Sequence, residues 1–307
     1  MIRIGSRGSQ LALWQANHIA ALLQAQVREV AIVTITTTGD RLQAVPFARV
    51  GSKGMFTKEI EEALADGAID LAVHSLKDLP TELDARFVIA AVTERVDPRD
   101  AFVSVKYQSM DALPRGARVG TSSLRRQSQL RARWPRLEYV EFRGNVDTRL
   151  RKLHEGQVEA AVLAAAGLDR LERTEWVRER FSADVLCPAP GQGALGVECR
   201  AADMRTRAVL SSLDHAESRF AVTAERVALA ALGGGCQVPI GAYCRRDGDQ
   251  YRISGCVSSP DGATVLRGEL CGNDAPSLGA DLADVLLRQG ALQLLAQQGE
   301  QGEQGEP

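Results

Sequence analysis

Hydrophobic positions in the first two-thirds of the chain follow two alternating patterns. The runs MIRIG, EVAIVTITTTG, IDLAVHS and RFVIAAVT are short, apolar and rich in β-branched residues, which predicts strands. SQLALWQANHIAALLQAQ and TKEIEEALADG carry apolar residues at helical spacing, and the second has acids early in it and a glycine after it. TERVDPRD, residues 93–100, interrupts this rhythm with charge and proline. It then restarts, with strands AFVSV, ARVGTSS, LEYVEF and AAVLAAAGL and helices LRRQSQLRARW and NVDTRLRKLHEG. CPAPGQGALG, residues 187–196, is a second interruption. A different pattern begins near Asp214. The helix HAESRFAVTAERVALAAL runs into GGGCQVPIG, and GAYCRRDGDQYRISGCVSSPDGATVLRGEL alternates and turns twice at Asp-Gly, as an antiparallel meander does. The helix LGADLADVLLRQGALQLLAQ is placed to cover one face of that meander.

The expected fold class is therefore α/β: two periplasmic-binding-protein-like α/β lobes joined by two crossings, with a cleft between them, plus a third α+β domain with a small antiparallel sheet. The expected boundaries are 1–95 with 194–213 for the first lobe, 96–193 for the second and 214–297 for the third domain. The Gln/Gly/Glu repeat at 298–307 is expected to be disordered.

Composition narrows the function classes. The chain has 307 residues, 45% hydrophobic and 25% charged, with a net charge of −2, so no global field draws it to nucleic acid or membrane. No apolar run approaches the ~20 residues that cross a bilayer. The opening MIRIGSRGSQLALWQ lacks the parts of a signal peptide, so a cytoplasmic protein is expected. Six cysteines form no CxxC pair and four histidines are scattered, so neither a metal site nor disulfides are expected. Five of the cysteines read as small buried hydrophobes.

Four stretches carry candidate chemistry. In LAVHSLKDLP an apolar strand delivers Lys77 and Asp78 at its carboxyl end, where open α/β sheets bind ligands; read alone, this is equally a solvated ion pair. GTSSLRRQ puts Thr121, Ser122 and Ser123 at a helix start, with Arg125 and Arg126 in the first turn. Cations there oppose the helix dipole, which implies an anion for them to meet. FRGNVDTRL repeats the arrangement with Arg143 and Arg149, and SRGS does so with Arg7 and Ser9. Seven arginines and no acid lie between Ala112 and Leu137, but without interleaved aromatics to stack on bases. Three strand-to-helix turns of this kind imply a polyanionic small molecule. GSKGMF, with Lys53, lacks P-loop spacing and reads as a mobile loop over the cleft. Cys236 follows three glycines and precedes QVPIG, with no histidine near it. That setting suits a thiol that anchors a group better than one cycled at each turnover.

Ten motifs in order, GSRGSQLALWQ, TTGD, GSKGMFTKE, AVHSLKDLP, DPRDAFVS, GTSSLRRQ, RGNVDTRL, AAAGLDRL, PAPGQGALGVECR and LGGGCQVPIG, resemble the porphobilinogen deaminase (hydroxymethylbilane synthase) family from residue 2 to about residue 295. The departures are Ser52 and Met55, where the family usually has glycine and leucine, and the tail. The resemblance implies a dipyrromethane cofactor joined to Cys236 by a thioether, to which four porphobilinogen units add with loss of ammonia before hydrolysis releases hydroxymethylbilane. Asp78 is implied as catalytic, stabilising the cationic azafulvene left when ammonia departs, with Lys77 beside it. Arg125, Arg126, Thr121, Ser122 and Ser123 are implied to hold the cofactor, together with Lys77 and Asp78. Arg7, Ser9, Gln15, Arg143, Arg149, Arg170, Gln192 and Gly193 are implied to bind substrate. Porphobilinogen is the expected small-molecule partner, with no nucleic acid, no membrane and no second subunit. The competing readings are a two-lobed small-anion binding protein without catalysis and a nucleic-acid binder using the basic stretch.

Overall fold

The computed structural model describes residues 1–24, 29–41, 57–234 and 238–296. Lys53 and Cys236 lie outside the described residues. In chain order, β1 (Ile2–Ser6), α1 (Gln10–Gln24), β2 (Val30–Thr34), α2 (Thr38–Arg41), α3 (Lys58–Ala65), β3 (Leu71–Ser75) and β4 (Phe87–Val92) precede the first interruption. Next come β5 (Asp100–Val103), β6 (Arg118–Gly120), α4 (Leu124–Arg133), β7 (Glu138–Val140), α5 (Val146–His154), β8 (Ala160–Ala164), α6 (Ala165–Arg170) and β9 (Val177–Arg180). The chain continues through β10 (Leu195–Arg200), α7 (Met204–Leu210), α8 (Ala216–Ala231), β11 (Ile240–Asp247), β12 (Gln250–Ser258), β13 (Val265–Gly272) and α9 (Ala275–Arg288). Several expected strands are shorter than the runs that predict them. EVAIVTITTTG leaves the sheet after Thr34, and AAVLAAAGL is strand only to Ala164 before becoming α6. Alanine is at home in either state, and periodicity alone does not separate a buried strand from the helix that continues it.

The chain divides into two units, residues 1–96 with 193–219, and residues 97–192 with the chain from Phe220 onward. Their main sheets share one plan. The first has the order β2-β1-β3-β10-β4, with β1 parallel to β2 and β3, and β10 antiparallel to β3 and β4. The second has the order β7-β6-β8-β5-β9, with β6 parallel to β7 and β8, and β5 antiparallel to β8 and β9. In each sheet the strand that follows an interruption runs backward beside the parallel strands. The residues just before β10 and β5 therefore meet the carboxyl ends of those parallel strands, where turns into helices begin.

Both sheets are buried on two faces, which explains their near-continuous apolar runs. Ile4, Ile19, Leu71, Val73, Leu195 and Val197 share the first unit's core. In the second sheet Phe102 packs with Val119, Leu130 and Phe181 on one face, while Ala101, Val103, Phe142 and Leu163 fill the other.

The meander β11-β12-β13 is antiparallel throughout and is covered by α9, whose Leu282 fills the space over Gly255 and Gly268. It belongs to the second unit, and the reason is local. The turn between β12 and β13 sits on α4, where Arg131 donates to the Pro260 carbonyl at 2.7 Å, and a Cβ on Gly262 (φ +76°) would lie 2.7 Å from the Ala132 nitrogen. Cys187, Cys199, Cys244 and Cys256 are buried as expected; Cys271 is exposed on the outer strand β13, contrary to that expectation.

Candidate active site

In the first unit, the parallel neighbours β1 and β3 end side by side. β1 runs into Arg7 and Ser9. Ser9 starts α1, its carbonyl accepting from the Leu13 nitrogen at 2.9 Å and its Oγ from the Ala12 nitrogen at 3.3 Å. β3 ends at Ser75 and passes into a single 3-10 turn, Leu76–Asp78. Leu76 is buried and Asp78 exposed, so the turn is anchored by its apolar residue. Gln15, itself buried, donates from Nε2 to Ser75 Oγ at 2.8 Å and ties α1 to the end of β3. The structure thus gathers Arg7, Ser9, Gln15, Lys77 and Asp78 at the carboxyl ends of two adjacent strands. Gly193, at φ +92°, opens the segment that leads into β10, and its carbonyl accepts from the Val96 nitrogen.

In the second unit, β7, β6 and β8 are adjacent, and each ends in a turn to a helix. Thr121 Oγ1 accepts from the Ser123 nitrogen at 3.3 Å, Ser122 Oγ from the Phe142 nitrogen at 2.9 Å, and Ser123 Oγ caps α4 through the Arg126 nitrogen at 3.4 Å. Each hydroxyl oxygen is used as an acceptor, so the O–H is the part left to donate to a ligand. Asn145 caps α5 with a 2.9 Å bond from the Thr148 nitrogen. That turn carries Arg143, which pairs with Glu141, and α5 carries half-buried Arg149. Arg170, at the end of α6, is buried; desolvation pushes its guanidinium down to about 10, against the pull of Asp169.

Arg125 and Arg126 are placed differently from the expectation that a ligand explains them. Both are buried and turned onto Asp100, the first residue of β5. Arg126 donates from Nε at 3.0 Å and a terminal nitrogen at 2.7 Å to Asp100 Oδ1, while a terminal nitrogen of Arg125 lies 2.8 Å from Oδ2. Arg125 also donates to the Cys187 carbonyl at 2.6 Å, and Arg126 to that of Val162 at 3.1 Å. Gln192 completes the cluster, donating to Asp100 Oδ1 at 2.9 Å and to the Pro98 carbonyl at 2.7 Å. Burial alone would raise the Asp100 carboxyl; the two guanidiniums hold it well below the usual carboxylate range. The anion these first-turn arginines meet is internal, and with two cations on one carboxylate the cluster keeps one positive charge in excess. Asp100 was missed in the sequence because DPRD read as a break between strands.

The glycines before Cys236 also have duties of their own. Gly233 takes the left-handed conformation (φ +70°) that ends α8, its nitrogen donating to the Ala230 carbonyl and the Gly234 nitrogen to that of Leu229, both at 2.9 Å. A Cβ on Gly234 would fall 2.5 Å from Leu229 Cδ1. The first two glycines are therefore a helix stop. Among the described residues no cluster of three metal-ligating side chains occurs, and no helix is long and apolar enough to cross a membrane. A surface groove formed by Asp147, Leu150, Arg151, His154, Arg173 and Trp176 contains none of the residues singled out from sequence.

Residues 2–208 match the model of the porphobilinogen deaminase dipyromethane cofactor binding domain, and residues 219–288 match that of the porphobilinogen deaminase C-terminal domain. The chain belongs to the porphobilinogen deaminase family. A porphobilinogen deaminase of Methylobacillus flagellatus is 50% identical over 297 residues, covering 95% of this chain and 96% of the relative. One from Trichlorobacter lovleyi is 50% identical over 298 residues, covering 96% and 95%. Among solved structures, the methionine-binding protein MetQ superposes with a TM-score of 0.45 at 14% identity, covering 69% of this chain and 89% of that one. A nutrient-binding protein of Burkholderia cenocepacia bound to methionine gives 0.44 at 14% identity, covering 71% and 93%.

The donor set fits the cofactor that the family domain is named for. A dipyrromethane made from porphobilinogen carries carboxylates. The second unit offers three hydroxyls at the β6–α4 turn, Arg143 at the β7–α5 turn, and Arg149 and Arg170 on α5 and α6, with the Arg125–Arg126–Asp100 cluster in positive excess.

Proposed function

We propose that the protein is a transferase that condenses four molecules of porphobilinogen head to tail, with loss of ammonia, and releases the linear tetrapyrrole hydroxymethylbilane. The observation that carries the reading is the near-complete coverage by the family together with Asp78 on the 3-10 turn at the end of β3. A dipyrromethane held through a thioether to Cys236 would supply the primer, a pyrrole chain with a nucleophilic α-carbon at its free end.

The chain's own residues divide the remaining work. Asp78 hydrogen-bonds pyrrole N–H groups, offsets the positive charge that develops as ammonia leaves porphobilinogen, and takes the α-proton lost when the attacking pyrrole ring regains aromaticity. Lys77 pairs with a carboxylate beside it. Arg143, Arg149 and Arg170 of the second unit, and Arg7 of the first, bind acetate and propionate groups by paired N–H donors. Thr121, Ser122 and Ser123 donate hydroxyl protons to the same groups. Arg125 and Arg126 act through the field of their cluster and, with Asp100, hold the start of α4 in place. Gln15 holds Ser75, and Gln192 holds Asp100 next to the crossing that leads to Gly193. The three-part organisation, a cytoplasmic location and a monomeric state belong to the same reading.

The test is turnover. Incubated with porphobilinogen, the protein should release ammonia and a linear tetrapyrrole in a ratio of four to one by the proposed stoichiometry. Binding of porphobilinogen without ammonia release would replace the enzyme reading with that of an anion binder.

A further inference from the structure

His74 and Glu198 form a buried pair that the scheme above does not use. His74 Nε2 lies 2.9 Å from Glu198 Oε2, with 8% of the histidine and none of the glutamate exposed. His74 of β3 stands opposite Gly196 of β10, and Glu198 is two residues further along β10, so the pair spans neighbouring strands diagonally on one face of the sheet. Ser75 is the next residue of β3 and points to the other face, where it accepts from Gln15 of α1 at 2.8 Å. The end of β3 is thus pinned on both faces immediately before the turn that carries Lys77 and Asp78.

β10 supports that turn as well. The Leu76 nitrogen donates to the Ala194 carbonyl at 3.1 Å, and a Cβ on Gly196 would lie 2.7 Å from Leu76 Cδ1. Two observations show that the pair is costly to keep. Glu198 Oε1 is buried without a hydrogen-bond partner. Glu61 of α3 is pushed above the usual carboxylate range, first by burial and next by the charge of Glu198, with His74 pulling the other way. Well-packed apolar residues would serve stability equally well at such positions. A retained buried pair beside a functional turn therefore points to geometry.

We propose that His74, held by Glu198, is a positioning residue for the condensation: it fixes the end of β3 and through it the carboxylate of Asp78. The proposal rests on the reading that Asp78 carries the reaction. The experiment uses the holoenzyme with its covalent adduct and compares the double variant His74→Leu/Glu198→Leu with His74→Gln. The double variant removes both members together and leaves no buried ion alone. It should load the same adduct mass and keep its melting temperature within a few degrees and KM within about twofold, while kcat falls on the order of a hundredfold, the cost of a small displacement of a reacting group. His74→Gln, whose amide still donates to Glu198, should recover most of kcat. A double variant with kcat within twofold of the parent overturns the proposal, as does His74→Gln as slow as the double variant. Should the double variant fail to fold, His74→Gln and His74→Asn decide alone. Both carry an amide but only glutamine has the reach, and equal kcat for the two overturns the claim. Failure of the underlying reading looks different: the parent enzyme would not turn over porphobilinogen, or Asp78→Asn would turn it over normally.

Discussion

Replacing Asp100 with asparagine removes the charge from a fully buried carboxylate and leaves its partners in place. Asp100 Oδ1 accepts three hydrogen bonds, at 3.0 and 2.7 Å from Arg126 and 2.9 Å from Gln192, and Oδ2 lies 2.8 Å from Arg125. Removing one partner of a buried ion pair costs about 3–5 kcal/mol, because the remaining charge stays out of water uncompensated. Here two buried guanidiniums lose the same counter-charge, so the loss should fall near the upper end, about 5 kcal/mol against a typical total of roughly 5–15 kcal/mol. The assay is equilibrium unfolding in urea of parent and Asp100→Asn at neutral pH, read as a shift in midpoint at unchanged slope. The folded carboxyl is held well below its unfolded value, so its contribution is present above the unfolded pKa near 4 and is lost as pH falls through the folded value. The gap between parent and variant should therefore be the same at pH 7 and pH 5 and narrow only in stronger acid. A loss below about 1 kcal/mol at neutral pH, the size of an ordinary surface pair, would refute the argument that the cluster is an internal charge centre.

Asp78→Asn should leave the covalent adduct in place and lower turnover by about a hundredfold or more, the usual scale for a proton-handling group; steady-state rates together with the intact mass check both halves. Gly262→Ala should destabilise clearly more than Gly248→Ala in thermal melts. Both have left-handed backbones, but only at Gly262 does the added carbon meet other atoms, the backbone of α4 at 2.7 Å, while nothing lies within 4 Å at Gly248. Asp97 is lowered to about 2: burial opposes the shift, and Arg99 and Arg180 outweigh it. Asp97→Asn should therefore cost roughly 2 kcal/mol above pH 4, an effect that fades as pH falls toward 2 and is measured by the pH dependence of urea midpoints.

The sequence made the alternation of strands and helices legible because both faces of each sheet are covered, and the Asp-Gly turns made the meander legible. The backward strands β5 and β10 were harder to see. Each is an apolar run like its parallel neighbours, and direction is set by where the crossing lands, a long-range property. Polar residues at strand ends were found because LAVHS ends where apolar burial stops. Asp100 and Glu198 were missed for the opposite reason. Each is an acid at the edge of or inside an apolar strand, and its partners, Arg125 with Arg126 and His74, lie far away in sequence. Gly233 and Gly234, which in the sequence stand only as part of a run before Cys236, are occupied in ending α8.

The most direct test of the account is the intact mass of the purified protein, followed by a peptide map. The account predicts a mass excess equal to two linked pyrrole units, located on the peptide containing Cys236 and absent from Cys236→Ser. An unmodified Cys236 that stays unmodified after incubation with porphobilinogen would contradict it.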